Sequence, residues 1–176
     1  MSVESYDYSY SFSPELEQEW RWSERYATQP EILRYINHVT ERFDLRRDIQ
    51  FNTRMTSATY DEAAARWVIE TEGGETFEAQ FLMMCVGQLS TTKSPSYPGL
   101  SYYKGEVIHS GKWPKDEVTY EGKRVAIIGT GSSGMQMTPV IAQQAKHLTV
   151  FQRTANFSIP ASNAPVSDEE DRQVKA

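Results

Sequence analysis

The hexapeptide "GTGSSG", residues 129–134, constrains the fold of this chain more than any other stretch. It sets Gly129, Gly131 and Gly134 in G-x-G-x-x-G spacing. The apolar run "KRVAII" precedes it, "SSGMQMTPVIAQQA" reads as a helix after it, and "HLTVFQR" reads as the next strand. Strand, glycine-rich turn, helix and strand in that order open a doubly wound dinucleotide-binding domain. Each glycine has a separate reason: the first permits the tight turn, the second lets backbone approach a pyrophosphate, and the third lets helix and strand pack closely. The anion then rests on the free N–H groups at the helix N-terminus. At the end of the following strand an acid suits the ribose 2′-hydroxyl of NAD, whereas a basic residue suits the 2′-phosphate of NADP. That strand ends "FQRTAN", so Arg153 offers its fork to a phosphate and Thr154 adds a hydroxyl. NADP is favoured, with a solvated surface arginine as the alternative.

The remaining pattern is α/β. Tyr6, Tyr8, Tyr10 and Phe12 alternate with small or polar residues, which predicts an extended segment with one aromatic face. Ser13 and Pro14 then start a short helix, and Thr28 and Glu31 stand at capping-box spacing before a second. The apolar face of that second helix runs Ile32, Ile36, Val39 and Phe43. "IQFNTRMTSATYD", "RWVIETE" and "ETFEAQ" read as short strands, with "EGGE" as a hairpin turn. "FLMMCVG" is continuously apolar and predicts a strand buried on both faces. A connector rich in Ser, Thr and Pro follows it, and the tail after residue 160 is polar and reads as unfinished.

Composition narrows the function classes. Net charge is −6 with no long basic run, which argues against a nucleic-acid surface. No apolar run approaches the roughly 18 residues a membrane-spanning helix needs, and "MSVESYDYSYSFSP" has neither part of a signal peptide. A single cysteine, Cys85, fits a reducing compartment. A cytoplasmic protein with neither nucleic-acid nor membrane partners is expected.

Just upstream of the glycine turn, "YKGEVIHSGKWPKD" places Tyr103, Gly105, His109, Trp113 and Pro114 in a spaced series. The series resembles the F-x-G-x-x-x-H-x-x-x-W-P fingerprint of Baeyer–Villiger flavin monooxygenases, with Tyr in place of Phe. "ERYATQPEILRYI", "CVGQLS", "PSYPGL", "GTGSSG" and "FQRTANFSIP" are similar to that family in the same order. The resemblance covers essentially the whole chain and is nearest the cyclohexanone and phenylacetone monooxygenase branch. N-oxygenating flavin monooxygenases resemble the fingerprint but generally lack its Trp-Pro ending.

The resemblance implies a fragment of a flavoprotein with two doubly wound, Rossmann-like dinucleotide-binding domains and a small β-meander. Residues 1–100 would be the later part of the FAD-binding domain, 101–118 a linker carrying the fingerprint, and 119–176 the truncated start of the NADP-binding domain. It implies FAD and NADP(H) as cofactors, with Tyr8, Met55 and Gln88 along the flavin cofactor. Gly129, Thr130, Gly131, Ser132, Ser133, Gly134 and Gln136 would cradle the NADP pyrophosphate, with Arg153 and Thr154 on the 2′-phosphate. The turn before Gln88 reads Cys85-Val86-Gly87 where the family has an "ATG"-like sequence. Without the family, a strand face accounts for Tyr8, core filling for Met55 and a strand cap for Gln88. His109 has no metal-ligand partners at suitable spacing, so no metal is expected, and a structural role in the linker is favoured.

The implied reaction converts a small ketone and O₂ to an ester or lactone through a flavin C4a-peroxide. N- or S-oxygenation, or a non-catalytic truncated gene product, is the alternative. No G-x-G-x-x-G precedes residue 129, and the family's catalytic Arg is expected outside the chain. An internal piece of a longer enzyme, inactive alone, is expected.

Overall fold

The computed structural model describes residues 3–87 and 89–176. In chain order the elements are α1 (Pro14–Glu19), α2 (Gln29–Arg42), β1 (Met55–Asp61), β2 (Arg66–Thr71) and β3 (Thr76–Ala79). There follow β4 (Arg124–Ile128), α3 (Ser132–Gln144), β5 (His147–Phe151) and α4 (Asp168–Val174). Short 3₁₀ turns occupy Ser5–Tyr8, Leu45–Asp48, Leu100–Tyr102 and Ser110–Lys112. The chain divides into two compact units, residues 1–83 with 160–176, and residues 84–159. Strands β1, β2 and β3 form an antiparallel meander, whereas β4 and β5 pair in parallel around α3. The class is α/β, and β4–α3–β5 is the βαβ unit the glycine spacing predicts. No helix of the described residues is long and apolar enough to cross a membrane.

The first unit is organised by aromatic rings. Trp22 and Tyr35 are each 1% exposed and their ring centroids lie 5.1 Å apart, with Trp20 at 5.8 and 5.2 Å from them. Buried rings need partners for their polar tips. The Trp22 indole N–H donates to Ser9 Oγ at 3.0 Å, and the Tyr35 hydroxyl accepts the Tyr10 N–H at 2.8 Å. Leu16, Ala27, Val39 and Val166 complete the cluster. Truncating a ring in such a setting costs about 3–5 kcal/mol.

Three sequence expectations change here. The aromatic stretch is not extended over Ser5–Tyr8 but turns, because Ser5 is an interior residue with 0% exposure. Its hydroxyl donates to the carbonyls of Glu24 (2.5 Å) and Arg25 (3.0 Å) and accepts the Ala27 N–H (2.8 Å). Thr28 does precede α2, but its side chain makes no cap bond. Glu31 turns instead to Ser23, accepting its N–H at 2.9 Å and its hydroxyl at 2.6 Å. A buried carboxylate with two donors is better satisfied there than at the helix end. The core face of α2 is therefore Glu31, Tyr35 and Val39, flanked by the half-buried Ile32 and Phe43, while Ile36 is 37% exposed. Ser13, by contrast, caps α1 as expected, accepting the Leu16 N–H at 3.3 Å.

The run "FLMMCVG" is also not a strand. Residues 81–87 have no regular structure, and Phe81 and Met83 are 80% and 83% exposed. An apolar run becomes a central strand only when neighbours pair with both of its edges, and among the described residues none does. The polar tail, in turn, is not loose. The Ala164 carbonyl accepts the Arg25 N–H at 2.9 Å, the Val166 N–H donates to Ser23 at 3.0 Å, and Val166 enters the core. Ser167 and Glu170 then form a full capping box for α4.

Helix α4 is fastened to its unit by a titratable cluster. The Tyr6 hydroxyl donates to Asp171 Oδ1 at 3.0 Å, and Lys175 Nζ lies 3.0 Å from Asp171 Oδ2. Burial, then the bond to Asp171, pushes the Tyr6 phenol up to about 12. Burial raises the Asp171 carboxyl, but the bonds from Lys175 and Tyr6 outweigh it and hold that group below the usual range. The raised phenol contributes stability that is whole below its ordinary value near 10 and is lost as pH climbs toward 12. The depressed carboxylate contributes stability present above about pH 4 and lost as pH falls through its lowered value. Thermal midpoints followed against pH should decline in both windows, and Tyr6→Phe should shrink the alkaline decline. An alkaline limb unchanged in that variant would show that Tyr6 does not fasten α4.

Candidate functional site

The site grows from the register of two strands. Ile128 of β4 faces Phe151 of β5 at the carboxyl end of the parallel pair, and the Gly129 N–H extends the ladder to the Phe151 carbonyl at 2.9 Å. Ligands of open α/β sheets bind at that end of the strands. Gly129 then takes φ +102°, a backbone state that a side chain would strain. A Cβ on Gly134 would collide with the Gly129 carbonyl oxygen, so the first turn of α3 rests directly on the loop. Gly131 differs from both. It has ordinary backbone angles, and a Cβ there would meet nothing within 4 Å.

Gly131 is also the N-cap of α3 and supplies no side chain to it, which leaves the leading N–H groups of the helix without a side-chain cap. They border a shallow cavity of about 260 Å³ lined by Ile127, Ile128, Gly129, Gly131, Ser132, Ser133 and Gly134, with Ser110 and Met137. Uncapped N–H groups, the positive end of a helix and three glycines that leave the backbone open to approach suit a pyrophosphate. These residues fit the dinucleotide that the sequence implies.

The other predicted residues fall as follows. Gln136 is exposed on α3 and donates to Ser132 Oγ at 3.0 Å. Thr130 does not line the cavity; it is 8% exposed and bonded to the loop after β5. Arg153 and Thr154 sit on that loop, exposed, two and three residues past the end of β5. Tyr8 is half-buried and packs against Trp22 at 6.4 Å, while Met55 opens β1 opposite Thr71. Gln88 lies outside the described residues.

The fingerprint folds as a series of steric fits. A Cβ on Gly105 would lie 2.5 Å from the Tyr103 hydroxyl oxygen, so the ring covers the glycine two residues on. His109 caps the 3₁₀ turn Ser110–Lys112, its Nδ1 accepting the Gly111 N–H at 3.1 Å. A Cβ on Gly111 would collide with the Thr92 methyl. Trp113 is 44% exposed, with Pro114 exposed behind it. The turn places Ser110 on the rim of the glycine-loop cavity. Ser110 was not predicted, nor were Gln152 and Asn156, whose amides bond Thr130. The legible signal for the last two was a pair of amide side chains flanking Arg153. Among the described residues no group of three or more His, Cys, Asp or Glu stands where it could hold a metal ion.

A flavin-binding monooxygenase-like family model matches residues 19–163. A cyclohexanone 1,2-monooxygenase of an Acinetobacter species is 43% identical over 98% of this chain and 32% of its own length. A phenazine N-monooxygenase of Lysobacter antibioticus is 44% identical over 94% of this chain and 30% of its own length. Among solved structures, an oxidized steroid monooxygenase bound to NADP is 56% identical with a TM-score of 0.91, covering 99% of this chain and 34% of that one. The chain thus spans about a third of the length of the relatives it matches. With the family model running from α1 through the glycine loop and past Arg153, the chain belongs to the flavin-binding monooxygenase-like family.

Proposed function

We propose that this chain is part of an FAD- and NADPH-dependent monooxygenase of the Baeyer–Villiger type, which uses O₂ to convert a small-molecule ketone to an ester or lactone. One observation carries the reading. The fingerprint turn and the glycine loop meet at one cavity, through Ser110, and that cavity is lined by Gly129, Gly131 and Gly134 at the head of α3, whose N-cap carries no side-chain bond. When bound, NADPH supplies a hydride and the flavin activates oxygen; both kinds of chemistry belong to the cofactors. The chain's own part is to bind and orient. The N–H groups at Ser132 and Ser133 hold the pyrophosphate, Gly131 leaves room for it, and Arg153 with Thr154 engages the 2′-phosphate. His109 acts as the cap that shapes the linker turn. The flavin assignment follows from family membership. The catalytic Arg of the family is assigned to no residue of this chain.

A second reading has its own support. The phenazine N-monooxygenase is as similar to this chain as the cyclohexanone enzyme, so identity does not separate carbon from nitrogen oxygenation. The Trp113-Pro114 ending favours the ketone reaction. Product analysis under ¹⁸O₂ on the full-length enzyme should find one labelled oxygen in an ester or lactone when a ketone is supplied. An N-oxide from an amine, with ketones untouched, would establish the second reading instead. The 176-residue chain alone should show no ketone-dependent NADPH oxidation.

The loop itself is tested by two alanines that differ in kind. Gly134→Ala meets backbone and should destabilise the full-length enzyme by about 1–3 kcal/mol in denaturant melts. Gly131→Ala meets open space, so the melt should be unchanged while NADP⁺ affinity falls at least about tenfold, because the methyl stands where the pyrophosphate must approach. Unchanged affinity in Gly131→Ala would remove the cradle from this loop.

A further inference from the structure

One group of bonds beside the glycine loop has no part in the pyrophosphate cradle. Thr130 lies between Gly129 and Gly131, yet its side chain is buried and faces the loop that follows β5. Thr130 Oγ1 accepts from the Gln152 side-chain amide at 3.0 Å and donates to the Thr154 carbonyl at a long 3.4 Å. Its own carbonyl accepts from the Asn156 side-chain amide. The parallel ladder ends with the Gly129 N–H on the Phe151 carbonyl, so beyond residue 151 these three bonds tie the loop to the sheet. Arg153 stands between the two tied residues Gln152 and Thr154. It is exposed, and among the described residues no carboxylate forms an ion pair with it.

We propose that Thr130, Gln152 and Asn156 form a latch that holds Arg153 in register with the glycine loop and so sets the preference for a 2′-phosphorylated dinucleotide. The proposal rests on the reading of Arg153 as the 2′-phosphate ligand, and adds the residues that make it selective. The physical reason is preorganisation. A five-residue loop that must be ordered at the moment of binding loses affinity to conformational entropy, and a loop already fastened does not. An arginine fork gains its specificity from a fixed orientation toward the phosphate oxygens. The pyrophosphate cradle is built from the N-terminus of α3 and does not need residues 152–156. Loosening the latch therefore weakens only the part of the dinucleotide that Arg153 reads. A purely structural tie would weaken both dinucleotides alike.

Gln152, Asn156 and Thr130 are thus positioning residues, and the test reads selectivity rather than turnover. NADP⁺ and NAD⁺ are titrated separately into the oxidised, FAD-loaded full-length enzyme and into its Asn156→Ala and Gln152→Ala variants. NADP⁺ affinity should fall about tenfold and NAD⁺ affinity less than about twofold, with the NADP⁺ loss from Asn156→Ala absent in an Arg153→Ala background, as expected for coupled neighbours. Hydrogen exchange without dinucleotide should quicken over residues 152–156 in both variants. Gln152→Ala removes one exposed amide and serves if the other variant folds poorly. Equal weakening of both dinucleotides, full selectivity despite faster exchange, or an additive loss beside Arg153→Ala would each overturn the latch. An unsubstituted enzyme that does not prefer NADP⁺ would overturn the reading of Arg153, and the latch's role in selectivity with it. The exchange measurement, which needs no dinucleotide, tells that outcome apart from failure of the latch alone.

Discussion

The missing side chain at Gly134 is the constraint on which the second unit depends. With no Cβ there, the first turn of α3 can rest on the Gly129 carbonyl, and the helix starts immediately beyond the end of β4. That closeness brings the positive end of α3 beside the carboxyl end of the parallel pair. Backing α3 away from that carbonyl to admit a side chain would draw the cavity's polar wall out of line with Ile127 and Ile128. The φ of Gly129 and the empty space at Gly131 serve the same arrangement from either side, one by turning the chain and the other by leaving it bare. Three glycines in one hexapeptide thus meet different physical conditions: a positive φ at Gly129, a backbone clash at Gly134, and open space at Gly131.

The first unit is stabilised differently, by a dense aromatic cluster in which the polar tips of Trp22 and Tyr35 are supplied from residues 9 and 10, while the Trp20 indole N–H has no partner among the described residues. Ser9 and Tyr10 meet Trp22 and Tyr35, and Ser5 gathers two carbonyls and an N–H from residues 24–27. Residues 160–176 then return to this unit and add Val166 to its core. The half-buried pair Asp171 and Lys175, with side chains 15% and 12% exposed, is reinforced by Tyr6, which donates to the same carboxylate. The Arg21 pair with Asp168, by contrast, is exposed at both ends and contributes little.

What was legible in the sequence divides along physical lines. Local rules worked: the glycine turn, the cap at Ser13, the "EGGE" hairpin and the parallel strands around α3 all depend on neighbours close in sequence. Long-range satisfaction was not legible. Nothing within a few residues of Glu31 shows that its carboxylate is claimed by Ser23, or that Ser5 is interior while its aromatic neighbours are not. The same holds for "FLMMCVG", whose composition describes a central strand but whose pairing depends on partners elsewhere. For the candidate site, Gly129 through Gly134 could be read residue by residue. The inward turn of Thr130 could not, because a threonine within a glycine loop gives no sign of which way it faces.

The fingerprint repays the same physical reading. Tyr103 and Gly105 are two residues apart because the ring needs a neighbour without a side chain to lie on. His109 and Gly111 stand at the same spacing because the imidazole nitrogen must reach an N–H that closes a tight turn, and because Thr92 leaves no room for a Cβ. Nδ1 presents its lone pair to the Gly111 N–H at 3.1 Å. The imidazole engaged in this way caps the turn whose first residue, Ser110, stands at the cavity rim. Read so, the spacing of Tyr103, Gly105, His109 and Gly111 specifies the shape of a turn. That turn carries Ser110 to the rim of the glycine-loop cavity.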